Sequence, residues 1–174
     1  MERKYIGCIF LVRIAFALLT CSSFTPDEYY QGVEPAYSMV YGADNGSPRT
    51  WEWTEEYQIR SHVLIAPYVA VLWLGRALGV DSSWFVRVAP RIIQAILTSV
   101  ADMSLFGLMT DFITKFVPNR NINAQTFAGY VTAVHVLSWC GLYCGSRTLA
   151  NTTEASLVLI GVHMLLRTYL YELR

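Results

Sequence analysis

Charge is what this sequence has least of. Only 15% of its 174 residues are Asp, Glu, Lys or Arg, against about 25% in ordinary soluble domains. With 54% hydrophobic residues, the composition argues against a soluble globular domain and for a membrane class. The formal net charge is zero, which removes a general electrostatic attraction to nucleic acid. Cysteine is also scarce: Cys8, Cys21, Cys140 and Cys144 are the four. Cys140 and Cys144 sit one helical turn apart, but further ligands at close spacing are missing, so neither a metal site nor a disulfide framework is expected. These cysteines read as small apolar core residues. Internal repeats, low-complexity tracts and linker-like composition are absent. Without an inverted repeat between halves, a small transporter has little in its favour.

Long apolar runs, by contrast, are plentiful. Five windows stand out: 5–24, 62–80, 84–109, 126–144 and 155–171. A membrane span needs about 20 largely apolar residues, whereas soluble helices average about 11–12. The second window holds Pro67 and Arg76, and the third holds Arg87, Arg91 and Asp102. The first follows Arg3 and Lys4 and ends near Cys21-Ser22-Ser23, a pattern shared with signal peptides. Its length and the mid-run Arg13 favour an uncleaved first span with a cytosolic N-terminus.

The loop 25–61 holds seven acids and two bases, Arg49 and Arg60. Its low base count suits the luminal side. Simple alternation of the spans then places Asp81-Ser82-Ser83 in the cytosol and 117–125 in the lumen. The sequon Asn45-Gly46-Ser47 is expected to be luminal, and Asn151-Thr152-Thr153 cytosolic and bare. The loop is also rich in aromatics, among them Tyr29, Tyr30, Tyr37, Tyr41, Trp51, Trp53 and Tyr57, which argues against disorder. Residues 34–42 read as a short interfacial helix stopped by Gly42, and Asp44-Asn45-Gly46-Ser47-Pro48 as a turn.

The chemistry is expected in this loop. Pro26-Asp27-Glu28-Tyr29-Tyr30-Gln31 sets two carboxylates where the first span ends, and ionised groups at membrane depth need a partner or a task. Transfer of a lipid-linked sugar needs a carboxylate to take the acceptor proton and cations to stabilise a leaving phosphate. Asp27 meets the first demand by position, and Arg60 is a candidate for the second. Taken alone, the residues fit structure equally well. Asp27-Glu28 also suits a helix N-terminus, and Trp51 and Trp53 also suit an aromatic belt.

The order of motifs adds to this. Asp27-Glu28, Gln31 and Glu34 are followed by Thr50-Trp51-Glu52-Trp53, Arg60-Ser61, Pro90-Arg91, Gln94-Ala95, Ala101-Asp102 and Ser146-Arg147-Thr148-Leu149-Ala150-Asn151-Thr152-Thr153-Glu154. This series resembles the dolichol-phosphate-mannose-dependent mannosyltransferases of glycosyltransferase family 22, in the branch that adds the third mannose of the glycosylphosphatidylinositol (GPI) anchor precursor. The resemblance covers essentially the whole chain. It implies an all-α, polytopic GT-C-type fold in the endoplasmic reticulum membrane, of which residues 1–174 form the N-terminal part. That part divides into a first membrane helix (1–24), a luminal catalytic loop with short interfacial helices (25–61) and further membrane helices (62–174), about five in all. It implies Asp27 as catalytic base with Glu28 beside it. Gln31, Glu34, Trp51, Glu52, Trp53, Arg60, Arg147 and Asn151 are then the substrate-binding candidates. The implied reaction is inverting α1,2-transfer from dolichyl-phosphate-mannose to the GPI-precursor glycolipid, with no metal or other cofactor. Two rivals stand beside it: an N-glycan precursor mannosyltransferase with the same donor, and a non-catalytic membrane pseudoenzyme or subunit.

Three positions remain. Arg13 is expected to pair with Asp102 inside the membrane. Arg147 and Asn151, one turn apart, are expected to share a face that meets lipid phosphate. The same stretch also suits capping of a following helix through Thr152 or Thr153 with Glu154.

Overall fold

The computed structural model describes residues 3–23, 25–42, 50–57, 59–117 and 122–172, with no strand among them. Seven α-helices follow in order: α1 Arg3–Leu19, α2 Glu34–Tyr41, α3 His62–Ala77, α4 Ser83–Phe116, α5 Ala124–Leu137, α6 Trp139–Cys144 and α7 Ala150–Glu172. A π-helical turn at Tyr29–Val33 leads into α2, and a 3-10 turn at Trp51–Trp53 precedes α3. The expected turn at Asp44-Asn45-Gly46-Ser47-Pro48, its sequon and Arg49 lie outside the described residues.

Local chemistry sets the helix starts. Ser61, Ser82, Asn123 and Ser138 each accept a hydrogen bond from a backbone N–H two or three residues on, which satisfies a donor that a helix start leaves open. Gly42 ends α2 at φ 98°, a left-handed conformation that suits glycine. Ser138 has a second effect. Its extended backbone interrupts the expected fourth span, so the run divides into α5 and α6.

α4 is the spine. It has 34 residues, or about 51 Å at 1.5 Å per residue. Small residues line its buried face: Ala95, Ser99, Ala101 and Ser104, a pattern that lets helix backbones approach closely. α1, α5 and α7 all pack against it. α1 runs antiparallel to α4, because Arg13 meets Asp102 while Thr20 meets Arg91. α7 runs parallel to α4, with Thr153 on Gln94 and Arg167 beside Asp111. A hydrophobic core joins Ala36 and Val40 of α2 to Ile65, Tyr68 and Leu72 of α3. α2 therefore packs on α3.

The count of spans and the alternation of loops fare differently. Among the described residues only α4 is long and apolar enough to cross a membrane. α1 and α3 have 17 and 16 residues, α5 is cut at Ser138, and α7 opens with the polar Asn151-Thr152-Thr153-Glu154. The five expected membrane helices are therefore not confirmed. The alternation of loops fails. Arg147 contacts Glu28, so the 146–153 segment and the first loop share one end of the molecule. Val117 lies about 39 Å further along the α4 axis from Arg91, at the other end. α3 folds back against the first third of α4, with Gly75 under Phe85 and Tyr68 on Gln94.

Candidate functional site

The site begins where α1 ends. Pro26 O accepts from the N–H groups of Tyr29 and Tyr30, both at 3.0 Å, which starts a helical turn. That turn widens into the π-helix, closed by the Glu34 N–H to Tyr29 O. Single π-turns of this kind often mark functional segments. The two neighbouring carboxylates meet opposite fates. Asp27 is exposed, and Glu28 is fully buried at 0% exposure.

Two guanidinium groups hold Glu28. Arg91 of α4 lies 3.1 Å from Oε1, and Arg147 of the α6–α7 link donates to Oε2 at 2.8 Å. Arg91 also donates to Tyr29 Oη at 3.0 Å and to Ser22 O at 3.2 Å, and reaches Thr20 O. Arg147 donates to Ser22 O at 3.0 Å, Ser22 Oγ at 3.2 Å and Tyr143 O at 3.1 Å, and stacks on the Tyr143 ring at 4.2 Å. The Thr148 hydroxyl donates to Glu28 O at 2.9 Å. Directly above, a Cβ on Gly32 would lie 3.0 Å from Thr148 O, so the π-turn approaches this link as glycine permits. Charge-assisted bonds of this length are among the stronger ones proteins make.

Beside this cluster lies a narrow cleft lined by Gln31, Gly32, Trp53, Arg60, Thr148 and Thr153. It encloses about 10 Å³, room for about one water. Behind it, Tyr68 donates to Gln94 at 2.6 Å, and Thr153 donates to the same oxygen at 2.8 Å. The Trp53 ring meets His62 edge-on at 5.3 Å. Arg60 is bound to Glu52 by two hydrogen bonds of 3.3 and 3.2 Å, so its charge is already matched. Outside the cleft, Trp51 is exposed and packs edge-on against Tyr57. Further along the interface, Arg76 reaches Val40 O and lies 5.4 Å from the Tyr41 ring centre. Burial and the neighbouring Asp81 carboxylate push the Tyr41 hydroxyl above its usual range.

The structure therefore gathers Asp27, Glu28, Gln31, Trp53, Arg60 and Arg147 at one end and separates others from them. Glu34 is half-buried at the start of α2. Asn151 is exposed on the first turn of α7, whereas Arg147 is fully buried before that helix begins, so the two do not share a face. Arg91, Ser22, Tyr29 and Thr148 belong to the site and were not among the sequence candidates. One signal pointed to them: Arg91 is a cation in an apolar run, and Glu28 is an anion in need of one. The expected Arg13–Asp102 pair is present, with Nε–Oδ2 at 2.9 Å and Nη2–Oδ1 at 3.1 Å. His135 lies 3.5 Å from the same carboxylate.

Comparison with known proteins identifies the family. Residues 5–173 match the Alg9-like mannosyltransferase family. The chain is 36% identical over 152 residues to the GPI alpha-1,2-mannosyltransferase 3 of Xenopus laevis, covering 84% of this chain and 26% of that protein. The human protein of the same name is 34% identical over 158 residues, with 88% and 26% covered. The GPI mannosyltransferase 3 of Drosophila melanogaster is 34% identical over 166 residues, with 93% and 25% covered. The chain thus spans about a quarter of the length of these relatives. No solved structure matches it.

Proposed function

Because this chain belongs to the Alg9-like mannosyltransferase family, we propose that it carries the catalytic base of an inverting α1,2-mannosyltransferase that adds the third mannose of the GPI precursor. The donor is dolichyl-phosphate-mannose and the acceptor is a mannose 2-hydroxyl of the glycolipid. The observation that carries the reading is the exposed Asp27 carboxylate beside the buried, doubly paired Glu28. Asp27 is the carboxylate a substrate can reach. It takes the proton of the acceptor hydroxyl as that oxygen bonds to the anomeric carbon. The bond from the anomeric carbon to the phosphate oxygen breaks on the opposite face, and dolichyl phosphate leaves with the electron pair. One displacement inverts the configuration and needs one base. In this reading no metal or other cofactor takes part.

The same reading makes the protein a multi-pass protein of the endoplasmic reticulum membrane. The contact of Arg147 with Glu28 requires an even number of crossings between them. α4 and the α5–α6 pair supply two. α3 then stays on the luminal side, packed on α2, and α1 and α7 make the remaining crossings.

The test is complementation in cells that lack the third GPI mannose, with surface GPI-anchored protein as readout and the full-length coding sequence as vehicle. Wild type should restore the signal and Asp27→Asn should not, at equal expression. Restoration by both removes Asp27 from its role. Restoration by neither moves the assignment to an N-glycan mannosyltransferase or to a non-catalytic subunit.

A further inference from the structure

We propose that Glu28 is a positioning residue, clamped by Arg91 and Arg147 so that Asp27 is presented to substrate, and that it is not a second base. This rests on the reading of Asp27 as the base. Three observations carry it. At 0% exposure, with a guanidinium against each of its oxygens, the Glu28 carboxylate has no path to an acceptor hydroxyl. Its backbone is held as well: its N–H donates to Thr25 O at 3.2 Å, and its carbonyl accepts from Thr148 Oγ1. The Cα atoms of neighbouring residues are about 3.8 Å apart, so fixing residue 28 at side chain and carbonyl leaves Asp27 little freedom.

The clamp also ties together parts far apart in the chain. Arg91 and Arg147 both reach the carbonyl of Ser22 just past α1. The end of α1, the upper part of α4 and the α6–α7 link are thereby locked to one carboxylate. Among the described residues, the neighbouring segments also carry Asp27, Glu34, Glu55, Glu56 and Glu154, together with the Glu52–Arg60 pair of the loop. That pair is closed on itself, so it is not the group that fixes residue 28.

The experiment uses the full-length protein in microsomes from cells without their own third-mannose step. Initial rates are measured against dolichyl-phosphate-mannose, and apparent thermal stability is measured in parallel. E28Q and R147M should each lower kcat by about 10²-fold, the size expected for a misplaced catalytic group, with KM for the donor unchanged. The double variant E28Q/R147M should fall no further than the worse single variant, because residues that act as a unit are non-additive. Multiplying losses would mean that Glu28 acts apart from the clamp and would overturn the proposal, as would wild-type kcat in E28Q. Should E28Q fail to accumulate, R91K and R147K keep the charge and lose the guanidinium fork. A kcat loss in both at constant KM supports the clamp, and wild-type kcat in both removes it. D27N separates the two ideas. Inactive D27N with fully active E28Q sinks the positioning role alone, while active D27N sinks the base reading and the inference that rests on it.

Discussion

Arg147 donates to Glu28 at 2.8 Å across 119 positions of sequence, with both side chains fully buried. This bond brings the end of the first helix and the start of the last to one place. Among the described residues, it does so at the one place where an exposed carboxylate, Asp27, adjoins a buried one. The bond therefore settles which segments share an end of the molecule, where simple alternation of the spans had pointed the other way.

The first prediction concerns topology. Single cysteines are placed at Tyr30, Ser83 and Ile122, all exposed, after Cys8, Cys21, Cys140 and Cys144 are replaced by serine. A membrane-impermeant maleimide added to sealed microsomes with the cytosolic face outward should label I122C. Y30C and S83C should react only after the vesicles are opened. Labelling of S83C in sealed vesicles would make α3 a crossing and refute the even count.

The second concerns Arg13 and Asp102, which are 1% and 0% exposed. Removing one partner of a buried pair leaves an uncompensated charge and costs about 3–5 kcal/mol, whereas replacing both with apolar residues is often neutral. R13M and D102L should each lower thermal stability strongly in detergent, and R13M/D102L should recover most of the loss. His135, also beside Asp102, is left unchanged in all three. A double variant as weak as the sum of the singles would show that the pair is not the unit.

Much of this was legible in the sequence, and the reasons differ by residue. The helices follow from apolar runs and polar caps, and the Arg13–Asp102 pair follows from two opposite charges in apolar surroundings. Asp27 follows from its place after the first run. What stayed hidden was pairing over long separations. Glu28 and Asp27 have similar side chains and adjacent positions, and only the fold decides which is buried. Arg147 looked like a ligand for lipid phosphate because its anion lies 119 positions away. α3 reads as apolar throughout, and only the fold shows that one of its faces packs on α2.

The third prediction tests how closely α4 and α7 approach. Gly107 faces the His163 ring, and a methyl group there would collide with it. Gly161, on α7, has nothing within 4 Å of an added Cβ. G107A should destabilise by about 1–3 kcal/mol, as over-packing does. G161A should be neutral or stabilise by up to about 1 kcal/mol through helix propensity. Equal melting temperatures for the two variants would show that the α4–α7 contact is looser than drawn.

The last prediction separates the loop from the fold. Glu52 and Arg60 make a two-bond pair within one loop, and their side chains are 16% and 20% exposed. A pair that keeps contact with solvent contributes about 1 kcal/mol or less, well below the Arg13–Asp102 pair. The loop has other ties, including the Ile59 N–H to Glu52 O at 3.2 Å and the Thr54 hydroxyl to Trp51 O at 2.7 Å. E52Q and R60M should therefore barely move thermal stability. They should still disturb the cleft, because Arg60 and Trp53 both line it, and that effect should appear as a raised KM with kcat largely kept. A loss of stability as large as that of R13M would place the pair among the supports of the fold. Unchanged KM in both variants would remove the cleft from substrate binding.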